Sequence, residues 1–140
     1  MSQQTATIES AIHWKEKLLA SNKYYFKTLK PTMLLENMAV VYVIFDKSTD
    51  KALYVGRTKK LRRRLYTNHL QGNKSTARLK KYIVEDNQDL SEINDYKKAK
   101  AWIKDNCYFQ YVEVQNPRER GHIEGLLGFL LDSKYIEEEH

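Results

Sequence analysis

The sequence predicts an α/β (α+β) fold: a small, mostly antiparallel three-stranded sheet flanked by helices, with an extra helix at the amino terminus. Two runs of branched and aromatic residues, VVYVIF at 40–45 and ALYV at 52–55, lie on either side of the turn-forming DKSTD, which makes them a hairpin. A third run, 108–114, alternates as a half-buried strand does. Most of the remaining segments place apolar residues at helical spacing.

In chain order, Ile8, Ala11, Ile12, Leu18 and Leu19 recur along 8–20 as on one side of an amphipathic helix. The stretch NKYYFKTLKPTMLLENM is interrupted by Pro31 and reads as a helix tail and a loop. Its Tyr24, Tyr25 and Phe26 stand among lysines, a pattern that suits stacking on bases, but general burial preferences favour a place over the core. After the hairpin and Gly56, a helix is expected over 61–71, ended by Gly72 and Asn73, and another over 76–85. Asp89 followed by Glu92 has a capping-box pattern and predicts a third helix within DLSEINDYKKAKAWIKDN. The strand 108–114 and a helix over 118–131 complete the fold. No repeat or linker separates a second domain; the chain reads as a helical extension (1–38), a main unit (39–136) and a solvated acidic tail (137–140).

A chain of 140 residues is large enough to bury a core without covalent staples. Its formal charge of +6 and pI near 9.3 favour polyanionic partners. Cys107 is the single cysteine, which excludes an intrachain disulfide and fits a reducing compartment. The first ten residues lack the pattern of a signal peptide, and no apolar run approaches a membrane span, so a cytoplasmic protein is expected.

The chemistry concentrates after the hairpin, in LYVGRTKKLRRRL, where Arg57, Lys59, Lys60, Arg62, Arg63 and Arg64 follow a strand with no acid among them. Two antiparallel strands carrying Tyr42 and Tyr54, followed at once by a basic helix, resemble the GIY-YIG nuclease superfamily, the catalytic domain of excision-repair and homing endonucleases. Val40-Val41-Tyr42 stands for the first tripeptide and Tyr54-Val55-Gly56 for the second, with Val40 where the family usually has glycine and Val41 and Val55 where isoleucine is common.

The resemblance implies roles residue by residue. The family's arginine, ten positions after the second motif's tyrosine, falls on Arg64; a planar guanidinium grips two phosphate oxygens and stabilises charge building there. The family's glutamate, in a late helix before an aliphatic run, falls on Glu124, an oxygen ligand for a hard cation, Mg²⁺ or Mn²⁺. Arg120, four residues earlier on the same helix, is a competing ion-pair partner. Tyr42 would accept the proton of the attacking water and Tyr54 would orient water and phosphate. One helical turn after the arginine the family commonly places histidine or tyrosine; here that position is Asn68. His69 is the next residue, which an ideal α-helix points elsewhere and a local distortion would bring in. Lys74, Arg78, Lys80 and Lys81 join the cations at 57–64 and Asn68 as contacts to a DNA backbone, which fix register without reading sequence.

The resemblance therefore implies a metal-dependent endonuclease acting on DNA, with a catalytically inactive nucleic-acid-binding module on the same scaffold as the alternative, and an acidic-protein interaction domain as a further one. Other chemistries lack their residues: His122 and Glu124 form an HxE pair without the cysteines of a zinc deaminase or zinc site, and no phosphate-binding GxxxxGK[ST] loop occurs.

Overall fold

The computed structural model describes residues 3–71, 78–86, 90 and 92–135, with the backbone alone at 3–7, 68–71 and 78. The fold is α+β. Its elements are α1 (Gln3–Ala20), β1 (Tyr24–Tyr25), β2 (Val40–Asp46), β3 (Lys51–Thr58), a π-helix (Arg63–Gln71), α2 (Arg78–Glu85), α3 (Tyr96–Asn106), β4 (Cys107–Glu113) and α4 (Pro117–Leu130). The sheet has four strands in the order β1-β4-β2-β3, all antiparallel.

The fourth strand is the difference from expectation. Tyr24 and Tyr25 lie in the segment read as helix tail and loop, yet they pair with Phe109 and Tyr108. Ring packing holds this two-residue edge: Tyr24 stacks on Phe109 at 5.2 Å and Tyr25 meets Tyr108 at 5.3 Å. Phe26 is buried in the core.

β2 is central and covered on both faces, which is why VVYVIF contains no polar position. Val40, Tyr42 and Ile44 face one cluster with Leu61, Leu65, Leu79, Ile83 and Ile103, the layer of the π-helix, α2 and α3. Val41, Val43 and Phe45 face the other, with Leu18, Ile123 and Leu127 from α1 and α4. The period of two along a strand thus sorts each residue of the hairpin to one of two helical layers.

Local capping follows the physics of helix ends with one shift. Asp95, not Asp89, caps α3, its carboxylate accepting from Lys98 N at 2.8 Å; Asp89 lies outside the described residues. Asn116 caps α4 and Pro117 opens it. α4 ends in a Schellman arrangement: Ser133 N–H donates to Gly128 O at 3.1 Å and Asp132 N–H to Phe129 O at 3.3 Å, with Asp132 in the left-handed region at φ 49°. α1 packs against β4 and α4, and Gln110 Nε2 donates to Leu19 O and Ser21 O to close its end. Among the described residues no helix is long and apolar enough to cross a membrane. The acidic tail, 137–140, lies outside the described residues.

Candidate active site

β3 is the outer strand, and the described residues after α4 cover the start of its free edge. The backbone N–H groups of Lys134 and Tyr135 donate to Ala52 O and Leu53 O at 3.1 and 2.9 Å, and Ser133 Oγ donates to Leu53 O at 3.0 Å. Past this strap, a cleft of about 870 Å³ is lined by Tyr42, Tyr54, Arg57, Arg64 and Glu124. Strand alternation assigns its walls: Tyr42 and Tyr54 stand on the π-helix side of the sheet, whereas Arg57, paired across from Val41, stands on the α4 side with Glu124.

The tyrosines are held by packing. Tyr42 is 1 % exposed, and its ring lies 6.3 Å from that of Tyr54. The row continues through Tyr82, 6.3 Å from Tyr54, to Tyr135, stacked on Tyr82 at 6.0 Å. Tyr135 donates its hydroxyl to Asp86 Oδ2 at 2.7 Å, and Lys134 Nζ reaches the same oxygen at 3.2 Å. Gly56 faces Tyr42 across the hairpin. A Cβ on Gly56 would lie 2.9 Å from Tyr42 Cε1 and closer still to Cζ and the hydroxyl. The tripeptide YVG thus ends in glycine because the phenol of the partner strand lies across that backbone, an aromatic covering a strand glycine.

Arg64 is half-buried on the π-helix and lines both the cleft and a neighbouring hollow of about 260 Å³ formed with Thr58, Lys60 and Arg63. Lys60 and Arg63 also line a third concavity, with Glu36, Arg62 and Thr67. Lys59 is exposed beside them. Arg62 is partly committed inside the fold, its Nε donating to Leu34 O at 3.0 Å and its NH1 lying 3.3 Å from Glu36 Oε1.

The segment 63–71 is a π-helix. Hydrogen bonds that step five residues bring positions five apart roughly above one another, as residues four apart are in an α-helix. Such a helix has between about four and five residues per turn, so the backbone positions of Asn68 and His69 both follow that of Arg64 by about one turn. The side chains of Asn68, His69 and Arg78 lie outside the described residues, as does Lys74.

Glu124, on α4, has Arg57 Nε 3.9 Å from its Oε1, with the two side chains 34 % and 51 % exposed. At that exposure the pair contributes little stability. The Arg57 guanidinium lies against Gly121, where any side chain would meet it. Arg120, the competing ion-pair partner that the spacing of four allowed for Glu124, is buried and donates instead to Val114 O at 2.9 Å and Gln115 O at 3.3 Å, just past the end of β4.

The sequence did not point to Val55, Gly125, Gly128, Phe129, Asp132, Ser133 or Tyr135, which line the same cleft. Helical spacing from Glu124 through Gly128 to Asp132 was the available signal. Lys80, read as a backbone contact, is instead 2 % exposed, and its pKa is lowered to about 8 by burial and then by the charge of Lys100. Burial raises the Cys107 thiol far above its ordinary range, with the charge of Asp46 adding to it, so this thiol is unreactive. Among the described residues no three His, Cys, Asp or Glu side chains gather into a cation cage.

Two phenols, a guanidinium and a carboxylate line one cleft beside a basic helix. Residues 38–114 match the GIY-YIG catalytic domain, more than half of the chain, and the chain belongs to the GIY-YIG family. The match includes Tyr42, Tyr54 and Arg64 and ends before α4, which brings Glu124. Searches of curated proteins and of solved structures give no match.

Proposed function

We propose that the protein is a metal-dependent endonuclease that hydrolyses phosphodiester bonds in DNA, acting in the cytoplasm. What supports this most is the convergence of Tyr42, Tyr54, Arg64 and Glu124, from four different elements, on one cleft.

Arg64 holds two oxygens of the scissile phosphate and stabilises the charge that grows on them as water adds and the bond to the leaving oxygen breaks. Tyr54 orients the water and phosphate. Tyr42 takes the proton of the water, in a cleft that it lines together with the cations Arg57 and Arg64. His69, or Asn68 by hydrogen bonding alone, assists from the next turn of the π-helix. Arg57, Lys59, Lys60, Arg62, Arg63, Lys74 and Arg78 hold the backbone on either side.

Glu124 is the ligand of Mg²⁺ or Mn²⁺, and Asp132 lines the same cleft. This donor set fits a hard cation that keeps several waters and takes one or two protein carboxylates together with substrate phosphate. When bound, the ion supplies Lewis-acid polarisation of the phosphate and neutralises the leaving oxygen.

Plasmid nicking tests the proposal. Wild type should nick with Mg²⁺ or Mn²⁺ and stop with EDTA; Glu124→Gln should lose nicking while binding DNA as before, and Arg64→Ala should lose turnover more than affinity. Nicking retained by Glu124→Gln would overturn the assignment. The placement of Arg57 beside Glu124, where it competes with a cation, favours the second reading, a DNA-binding module without catalysis, and wild type that binds but never nicks would establish it.

A further inference from the structure

Phe129 is 84 % exposed, more than any other large apolar side chain among the described residues. Single exposed apolar residues are ordinary. The position of this one is not: it lines the cleft that also holds Arg64 and Glu124, on a helix whose Ile123 and Leu127 are buried in the core. A helical side chain leans over the turn preceding it, which directs Phe129 towards Gly125 and the carboxylate end of the cleft.

The helix surface there is open. A Cβ on Gly125 or Gly128 would meet nothing within 4 Å. Neither glycine has a positive φ. Gly56 and Gly121 each make room for another side chain of this protein, but Gly125 and Gly128 make room for none, and glycine in a helix interior lowers stability relative to alanine. Open space beside an exposed ring, in a cleft that also holds a guanidinium suited to phosphate, has the chemistry for a flat, apolar-faced group attached to a phosphodiester.

We infer that Phe129 stacks on an unpaired nucleobase next to the scissile phosphate, over the surface left open by Gly125 and Gly128, so that the substrate is DNA with an unstacked nucleotide at the cut in preference to continuous duplex. This rests on the nuclease reading for its substrate but not for its test. Taking a base out of an intact duplex is unfavourable, and a bulge or branch presents one already free.

The test is equilibrium binding in EDTA, where no cleavage occurs, of a short duplex and of the same duplex with one extra unpaired nucleotide. Stacking on one aromatic ring corresponds to roughly 5- to 150-fold in affinity. Wild type should therefore prefer the bulged DNA by at least about 5-fold. Phe129→Ala should bring the ratio close to one, and Phe129→Trp should restore it. Gly125→Ala should raise the melting temperature and yet lower the ratio, a combination that a purely structural glycine does not give. A wild-type ratio near one, or a ratio that survives Phe129→Ala, overturns the inference, including the case in which the ring docks a protein. Adding Mg²⁺ then separates the two claims: a preserved ratio without nicking removes the nuclease and leaves the stacking, and nicking without a ratio does the reverse.

Discussion

Replacing Gly56 by alanine tests whether the Tyr42 ring lies where the site needs it. The new methyl carbon would start 2.9 Å from Tyr42 Cε1 and closer to Cζ, below any ordinary carbon contact. The ring has nowhere to go, because Tyr42 is 1 % exposed and packed with Leu61 and Leu65. Overpacking a well-filled core typically costs about 1–3 kcal/mol. Against this, loss of glycine's freedom in the unfolded chain returns about 0.4–1 kcal/mol, since Gly56 has no positive φ. The net expectation is a destabilisation of about 1–2 kcal/mol, which for a domain of this size lowers the melting temperature by roughly 2–8 °C. Urea denaturation of Gly56→Ala, Tyr42→Leu and the double variant measures it, with the m-value held constant. Without the ring the alanine has nothing to meet, so the double variant should be more stable than the sum of the singles predicts, by about 1 kcal/mol. Strictly additive single effects, or a Gly56→Ala protein as stable as wild type, would refute the contact and with it the position of the Tyr42 hydroxyl in the cleft.

Three further expectations concern other parts of the molecule. The logarithm of DNA affinity should fall linearly with the logarithm of salt concentration, and Lys60→Ala, which removes one phosphate contact, should reduce the slope by about 0.9; a flat dependence in wild type removes the DNA partner. Lys80 has a pKa near 8 in the folded protein against 10.5 as the ordinary value, so above pH 8 the unfolded chain holds more protons and stability should rise with pH up to about 10, where the raised Tyr108 and Tyr111, the latter at about 12, begin to reverse it. Urea midpoints at pH 7 to 10 should show that rise in wild type and lose it in Lys80→Met; equal slopes would contradict it. Asp132 occupies the left-handed position that ends α4, so Asp132→Gly should raise stability by about 1 kcal/mol in thermal unfolding, and a loss would show that its carboxylate holds the turn together.

The hairpin was legible because it rests on local chemistry, branched residues in VVYVIF and a turn in DKSTD; the last helix was read as 118–131, and its cap and first residue, Asn116 and Pro117, were not singled out. β1 was not legible, since two residues are too few to alternate and its stability comes from rings on a distant strand. Asp89 and Asp95 are both residue types that cap helices, so the sequence alone does not choose between them, and it is Asp95 that caps α3. The π-helix was not legible, since no residue type encodes it; a local distortion was considered only as the condition under which His69 would take part. Tyr42, Tyr54, Arg64 and Glu124 were each found in the sequence, and the structure places all four along one cleft. The cleft's other walls were invisible, because Phe129, Asp132 and Tyr135 acquire their place only when the end of α4 and the residues after it run back along β3.

The cleft straddles an edge of the sheet, and this has a mechanical consequence. Its phenols and the Arg64 guanidinium stand on the π-helix side of the sheet, Arg57 and the carboxylate on the α4 side, with the strands between them. A tilt of α4 against β3, as a lost methylene in that contact would allow, would change the separation of the groups proposed to react while leaving each of them intact. Turnover should consequently be more sensitive than melting temperature to conservative changes such as Ile123→Val, and variants selected for activity should carry compensations in apolar residues distant from the catalytic groups.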